Sequence, residues 1–161
     1  MLCVASDSNL TDIIDLRSGS RALQLSGHIG FSFSCDWSPD GNWLCTGNED
    51  HTARIYDVRG TSREARFVLG SRMAAVRNVL FSPDNYTLAV MEESDFVTLY
   101  DVSSLFQRCT TIDFFGETSG VAFSPNNEYC FIGCTEPDRG GIFELRRPNN
   151  SILSKLDSFL L

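Results

Sequence analysis

Ser38-Pro39-Asp40-Gly41, Ser82-Pro83-Asp84-Asn85 and Ser124-Pro125-Asn126-Asn127 are three versions of one tetrapeptide, spaced 44 and 42 residues apart. A second series keeps step with it: Ile14-Asp15-Leu16, Tyr56-Asp57-Val58, Tyr100-Asp101-Val102 and Phe143-Glu144-Leu145, at intervals of 42, 44 and 43. Two markers with one shared period define an internal repeat. A period in the low forties is that of a blade built from four short strands.

The best-preserved period reads accordingly. Phe33 to Trp37 alternates and is rich in aromatics, as a half-buried strand should be. The Ser-Pro-Asp-Gly that follows is a reversal, because proline presets φ and Asp-Gly tolerates tight geometry. Trp43 to Gly47 is the second strand, Asn48 to His51 a polar turn, Ala53 to Asp57 the third strand and Glu64 to Leu69 the fourth. No segment shows helical periodicity, which predicts an all-β chain of meandering antiparallel sheets. Reversals are expected at Ser38 to Asn42, Ser82 to Tyr86 and Ser124 to Glu128.

Composition restricts the function. The chain has 161 residues, 42% hydrophobic and 21% charged, as in globular proteins. No apolar run approaches the ~18–20 residues of a membrane helix, and Met1 to Asp7 carries no basic residue that would mark a signal peptide. Net charge is −8, with 21 acids against 13 bases, and the one small basic cluster is Arg139 with Arg146 and Arg147. Binding a polyanion needs clustered cations, so neither nucleic acid nor an acidic membrane surface is an expected partner. The 6 cysteines sit mostly inside apolar runs, where a thiol acts as a small hydrophobe. Cys130-x3-Cys134 has metal-like spacing, yet no second pair or histidine completes a set of four. Reduced core thiols, a cytoplasmic or nuclear setting, and no metal or cofactor are the expectation. The sequons at Asn9, Asn85 and Asn149 are then chance matches.

The run Gly27-His28, Leu44-Cys45-Thr46-Gly47-Asn48-Glu49-Asp50-His51-Thr52 and Tyr56-Asp57 resembles a WD40 repeat, with tyrosine where tryptophan is usual. The resemblance extends over essentially the whole chain and implies a partial WD40 β-propeller of about three and a half four-stranded antiparallel blades. It also maps a structural tetrad onto His28, Thr46, Asp50 and Tyr56. In that tetrad a buried histidine bridges a turn aspartate and a strand hydroxyl, and the hydroxyl reaches the aromatic, so every buried polar atom is paired. The other units depart from it: Ser71 and Glu117 replace the histidine, and Val90 and Ile132 the hydroxyl. A narrower resemblance, to a fungal and plant group of WD-repeat proteins from which no particular activity follows, is carried by Gly70 to Met73, Asp95 to Val97, Ile112 to Glu117 and Leu156 to Leu160.

Aligned on the repeats, residues 1–26 are the last three strands of a blade: Leu2 to Ala5, Ile13 to Asp15 and Arg21 to Leu25. Residues 27–70 form a complete blade, 71–115 a second, degenerate one, and 116–161 an incomplete third, with a possible closing strand near Ile152 to Leu156. Rings close with about four to eight blades. The sequence is therefore expected to be part of a longer product, and unable to form a stable soluble monomer alone.

For function, Thr46, His28 and Asp50 mimic a nucleophile–base–acid set, but no oxyanion hole or nucleophile elbow accompanies them, and no glycine-rich phosphate loop is present. The expectation is a non-enzymatic scaffold without a small-molecule substrate, binding other proteins through its loops. The resemblance places the Asp50 turn and the His28 loop on one face of the ring, and the next unit brings Arg72, Met73, Glu92, Glu93 and Asp95 there as binding candidates. An alternative comes from Tyr56-Asp57-Val58-Arg59, which resembles the aromatic-Asp-x-Arg box of substrate receptors for cullin-type ubiquitin ligases. Asp57 and Arg59 would then dock the adaptor, with Asp15 and Arg17 as a weaker second copy.

Overall fold

The computed structural model describes residues 1–135 and 140–147, so the closing strand expected near Ile152 to Leu156 lies outside them. The first sheet has the order β1 (Leu2–Val4), β2 (Thr11–Ile14) and β3 (Arg21–Leu25). The second has β4 (Ser32–Trp37), β5 (Trp43–Asn48), β6 (Thr52–Asp57) and β7 (Phe67–Gly70). A third, six-stranded sheet holds β8 (Val76–Phe81), β9 (Thr87–Glu92), β10 (Ser94–Asp101), β11 (Cys109–Phe123), β12 (Tyr129–Thr135) and β13 (Gly141–Arg146) in sequence order. All pairs are antiparallel. The helical content of the described residues is one 3-10 turn, Val102–Ser104, and none of it is long and apolar enough to cross a membrane.

The repeated tetrapeptide makes the same reversal three times. Ser38 Oγ donates to Asp40 Oδ1 (2.6 Å), and Gly41 N donates to Ser38 O (2.8 Å). Ser82 and Ser124 make the corresponding pairs with Asp84 (2.6 Å) and Asn126 (2.7 Å). The fourth position has positive φ in each (Gly41 72°, Asn85 61°, Asn127 61°), a conformation that favours glycine and asparagine.

β5 and β9 are buried along nearly their whole length rather than on alternate residues. Each lies between neighbours in its own sheet and is covered on both faces by adjoining sheets, so apolar residues recur without period two. Sheets approach so closely that a Cβ on Gly47 would stand 2.8 Å from Val76 Cγ1. One apolar cluster fills each junction. Ile13, Leu25, Leu44 and Tyr56 join the first two sheets, and Cys45, Ile55, Val79 and Leu88 join β5 and β6 to β8 and β9. A third cluster gathers Ala89, Leu99, Val121, Cys130 and Ile132. Inner strands β4 and β8 are also tied by Ser34 Oγ, which accepts from Val79 N (2.9 Å), and Asp36 Oδ2, which accepts from Phe81 N (2.7 Å).

Two details differ from the sequence reading, and one adds to it. β11 runs unbroken through residues 115 and 116. The first half of that strand pairs with β10 and the second with β12, and Phe115, at φ 51°, bends the chain between them. Because β11 also packs on β8 and β9, the six-stranded sheet is folded over on itself as two layers. The strand expected from Glu64 begins only at Phe67, since Arg63 is drawn away by its carbonyl accepting Ser26 N (2.9 Å). Finally, Cys130 pairs with Leu145 as Leu88 pairs with Tyr100. Leu145, not Phe143, therefore occupies the place of Tyr56 and Tyr100, and it is the buried one.

Candidate protein-interaction face

One end of the sheets carries the segments leading into β4 and β8 (26–31 and 71–75) and the short turns after β5 and β9. In the first of these units a buried polar chain fastens the loop. His28 is 3% and Thr46 0% exposed. The His28 ring lies 2.9 Å through Nδ1 from Asp50 Oδ2 and 2.7 Å through Nε2 from Thr46 Oγ1. A carboxylate only accepts, so Nδ1 carries the proton and Thr46 donates its hydroxyl to Nε2. Burial pushes the His28 pKa down, against the opposing pull of Asp50, and keeps the ring neutral.

Asp50 accepts further hydrogen bonds from Ile29 N (3.1 Å), Thr52 N (3.1 Å) and Thr52 Oγ1 (2.5 Å). Burial alone would raise its pKa, but the Thr52 and His28 bonds outweigh that and hold it below the usual carboxylate range. Tyr56, in β6, donates its phenol to Ser26 O (3.2 Å), so its own bond secures the start of the same loop. Burial pushes that phenol up to about 12. Asn48 completes the fastening by donating to Gly30 O (2.9 Å) and Ser32 Oγ (3.0 Å).

The next unit fastens its loop differently. Glu92 is 2% exposed and directs its carboxylate into the loop, where it accepts from Arg72 N (2.8 Å), Met73 N (2.9 Å) and Ala74 N (3.0 Å). Glu92 is thus not a surface contact: of the five binding candidates it is the one turned inward, because three orphan backbone donors need an acceptor. Val76 pairs with Glu92 as Ser32 pairs with Asn48, which makes Glu92 the counterpart of Asn48, 44 residues on. The same register sets Arg72, not Ser71, opposite His28. In the following unit Thr118 pairs with Cys134, so the equivalent residue is buried Phe114, not Glu117. A sequence alignment slides in these loops, and only the pairing fixes it.

The remaining candidates are spread over the rim. Arg72 places its guanidinium 5.8 Å from the Phe96 ring, and Met73 is 66% exposed. Glu93 is exposed and paired with Arg77 (2.7 Å). Asp95 has φ 64°, the left-handed conformation His51 adopts 44 residues earlier.

The residues of the adaptor box lie at the opposite end and bond within their own turns. Arg59 forks onto both Asp57 oxygens (2.8 and 2.6 Å) and holds Asp57 at about 2. Asp15 accepts from Arg17 N (3.0 Å) and Ser18 Oγ (3.1 Å). Cys130 and Cys134 are both buried in β12, and burial pushes the Cys130 thiol up to about 12.

Known proteins are similar to this chain in sequence and fold. Residues 19–57 match the family model described as WD domain, G-beta repeat. Pre-mRNA-processing factor 19 of Oryza sativa subsp. japonica is 31% identical over 134 residues, 80% of this chain and 25% of that protein. The LST8 homolog of Drosophila pseudoobscura pseudoobscura is 27% identical over 111 residues, 62% of this chain and 35% of that protein. A chain in the crystal structure of the mitotic checkpoint complex superposes with a TM-score of 0.79 at 21% identity, over 91% of this chain and 46% of that one. The chain therefore spans a quarter to under half the length of these proteins.

Proposed function

Since the chain belongs to the WD40-repeat family, we propose that it is a non-enzymatic scaffold that binds a partner protein through the loop face just described. The observation that carries this reading is the contrast within each loop. Backbones 28–30 and 72–74 are fixed from below by buried polar groups, while the tips, Ile29 and Met73, are open to solvent. Rigid loops bind without the entropic cost of ordering. The enzyme-like trio supports no chemistry in this reading, because Thr46 is fully buried and its hydroxyl is engaged by His28. The adaptor-docking alternative draws less support, since Asp57 already occupies the Arg59 fork. Its test is Arg59→Ala combined with Arg17→Ala, which should abolish recovery of a cullin adaptor.

A photo-cross-linking residue at Met73, compared with one at Thr61 on the opposite end, tests the main proposal in the full chain. Protein adducts should form at Met73 and not at Thr61. Equal yields at both positions, or none at Met73, would overturn it.

A further inference from the structure

Ser32 and Val76 open β4 and β8, and Thr118 holds the same register in the part of β11 that pairs with β12, opposite Asn48, Glu92 and Cys134 respectively. Three residues before each stand Ile29, Met73 and Phe115, which are 86%, 66% and 81% exposed. A single exposed apolar residue needs no explanation. The same repeat position left apolar and open in three consecutive units is a row that the repeat itself lays out. Phe115 keeps its place at φ 51°, a conformation costly for a bulky residue, with its N–H bonded to Asp113 Oδ1 (3.0 Å). Phe31 and Phe33, two and four residues after Ile29, are also 48% and 37% exposed.

The charges around the row are unbalanced. A groove of about 340 Å3 runs between β8 and β11, with Arg77, Glu93, Glu117 and Ser119 in its walls. Arg77 is consumed by Glu93 and by the Phe33 ring 4.1 Å away, and Arg72 lies over Phe96. Glu49, Asp95 and Glu117 make no ion pair among the described residues. Beside the row, the acids Glu49, Glu93, Asp95 and Glu117 therefore outnumber the cations Arg72 and Arg77.

From this, resting on the scaffold reading above, we infer that the row, together with the groove that Glu117 lines, receives a partner protein segment in which apolar side chains are flanked by lysine or arginine. The apolar residues lie along Ile29, Met73 and Phe115, and the cations meet Glu49 and Glu117. An acidic segment is rejected by the same carboxylates.

The test uses two labelled synthetic peptides of identical apolar content, one with lysines at the flanking positions and one with glutamates, titrated against the full chain by fluorescence anisotropy. The lysine peptide should bind, and more weakly as salt rises. Combining Ile29→Ser, Met73→Ser and Phe115→Asn should weaken it on the order of tenfold or more. Glu49→Lys with Glu117→Lys should shift preference to the glutamate peptide. All five side chains are exposed, so each variant should melt with the parent, which is checked alongside. Equal binding of the two peptides, no binding, or binding indifferent to the triple variant overturns the inference. If Met73 still cross-links a partner in that case, the partner's chemistry was misjudged and the scaffold reading stands. If nothing cross-links, both fall.

Discussion

The loops entering β4 and β8 have the same job and different fastenings. At 26–31 the work is divided among Asp50, His28, Thr46, Tyr56 and Asn48, each contributing one or two hydrogen bonds. At 71–75 one carboxylate, Glu92, takes three adjacent backbone N–H groups. The fold evidently requires that the loop's buried donors be satisfied, not that any particular residue satisfy them. Dividing the task spreads the loss from a single substitution, whereas concentrating it leaves one residue on which the whole loop depends.

The largest expected effect follows from that dependence. Glu92→Ala leaves three donors without an acceptor and should cost roughly 3–5 kcal/mol, measured by denaturant unfolding of the full chain. Asp50→Ala strands His28 Nδ1, Ile29 N, Thr52 N and Thr52 Oγ1, of which only His28 Nδ1 belongs to a buried residue, and it should cost about 1–3 kcal/mol because Thr46 and Asn48 keep their bonds to the loop. If Asp50→Ala proves the more damaging, the contrast between concentrated and divided fastening is wrong.

A smaller effect separates the loops by pH. The His28 pKa is lowered in the folded state, so the unfolded chain binds its proton first on acidification. The stability that neutral His28 contributes is complete above its ordinary value of 6.5 and is lost as pH falls from there through the folded value. Asp50, also lowered, adds a further loss below 3.8. Hydrogen exchange should therefore quicken in 28–31 as pH drops through the first window, after correction for intrinsic rates. His28→Gln should remove that response, whereas 71–75, fastened without histidine, should not show it. The smallest effect is reserved for Arg59→Ala. Its ion pair with Asp57 is solvent-exposed, and the melting temperature should not move.

The two fastenings also differ in how much the sequence disclosed. His28, Thr46 and Asp50 could be placed because they stand in a recognisable pattern. Glu92 was misplaced onto the surface because an acid at the end of Thr87-Leu88-Ala89-Val90-Met91 reads as the first solvated turn residue. A signal did exist: Glu92 stands 44 residues after Asn48, at the spacing of the first two serine-proline turns. Both are polar residues closing an apolar strand, and both proved to be buried supports of a loop.

What the sequence determined alone is the repeat, the all-β class and the reversals at Ser38, Ser82 and Ser124, because each depends on residues within one turn or on a period countable along the chain. Only the tertiary structure decided the equivalences across loops, such as Arg72 with His28 and Leu145 with Tyr56. It likewise decided the inward turn of Glu92, the fold of β11 at Phe115 and the apolar row of Ile29, Met73 and Phe115. Those rest on which strand pairs with which, and on which donors burial leaves without water. Neither is a property of any short stretch of chain.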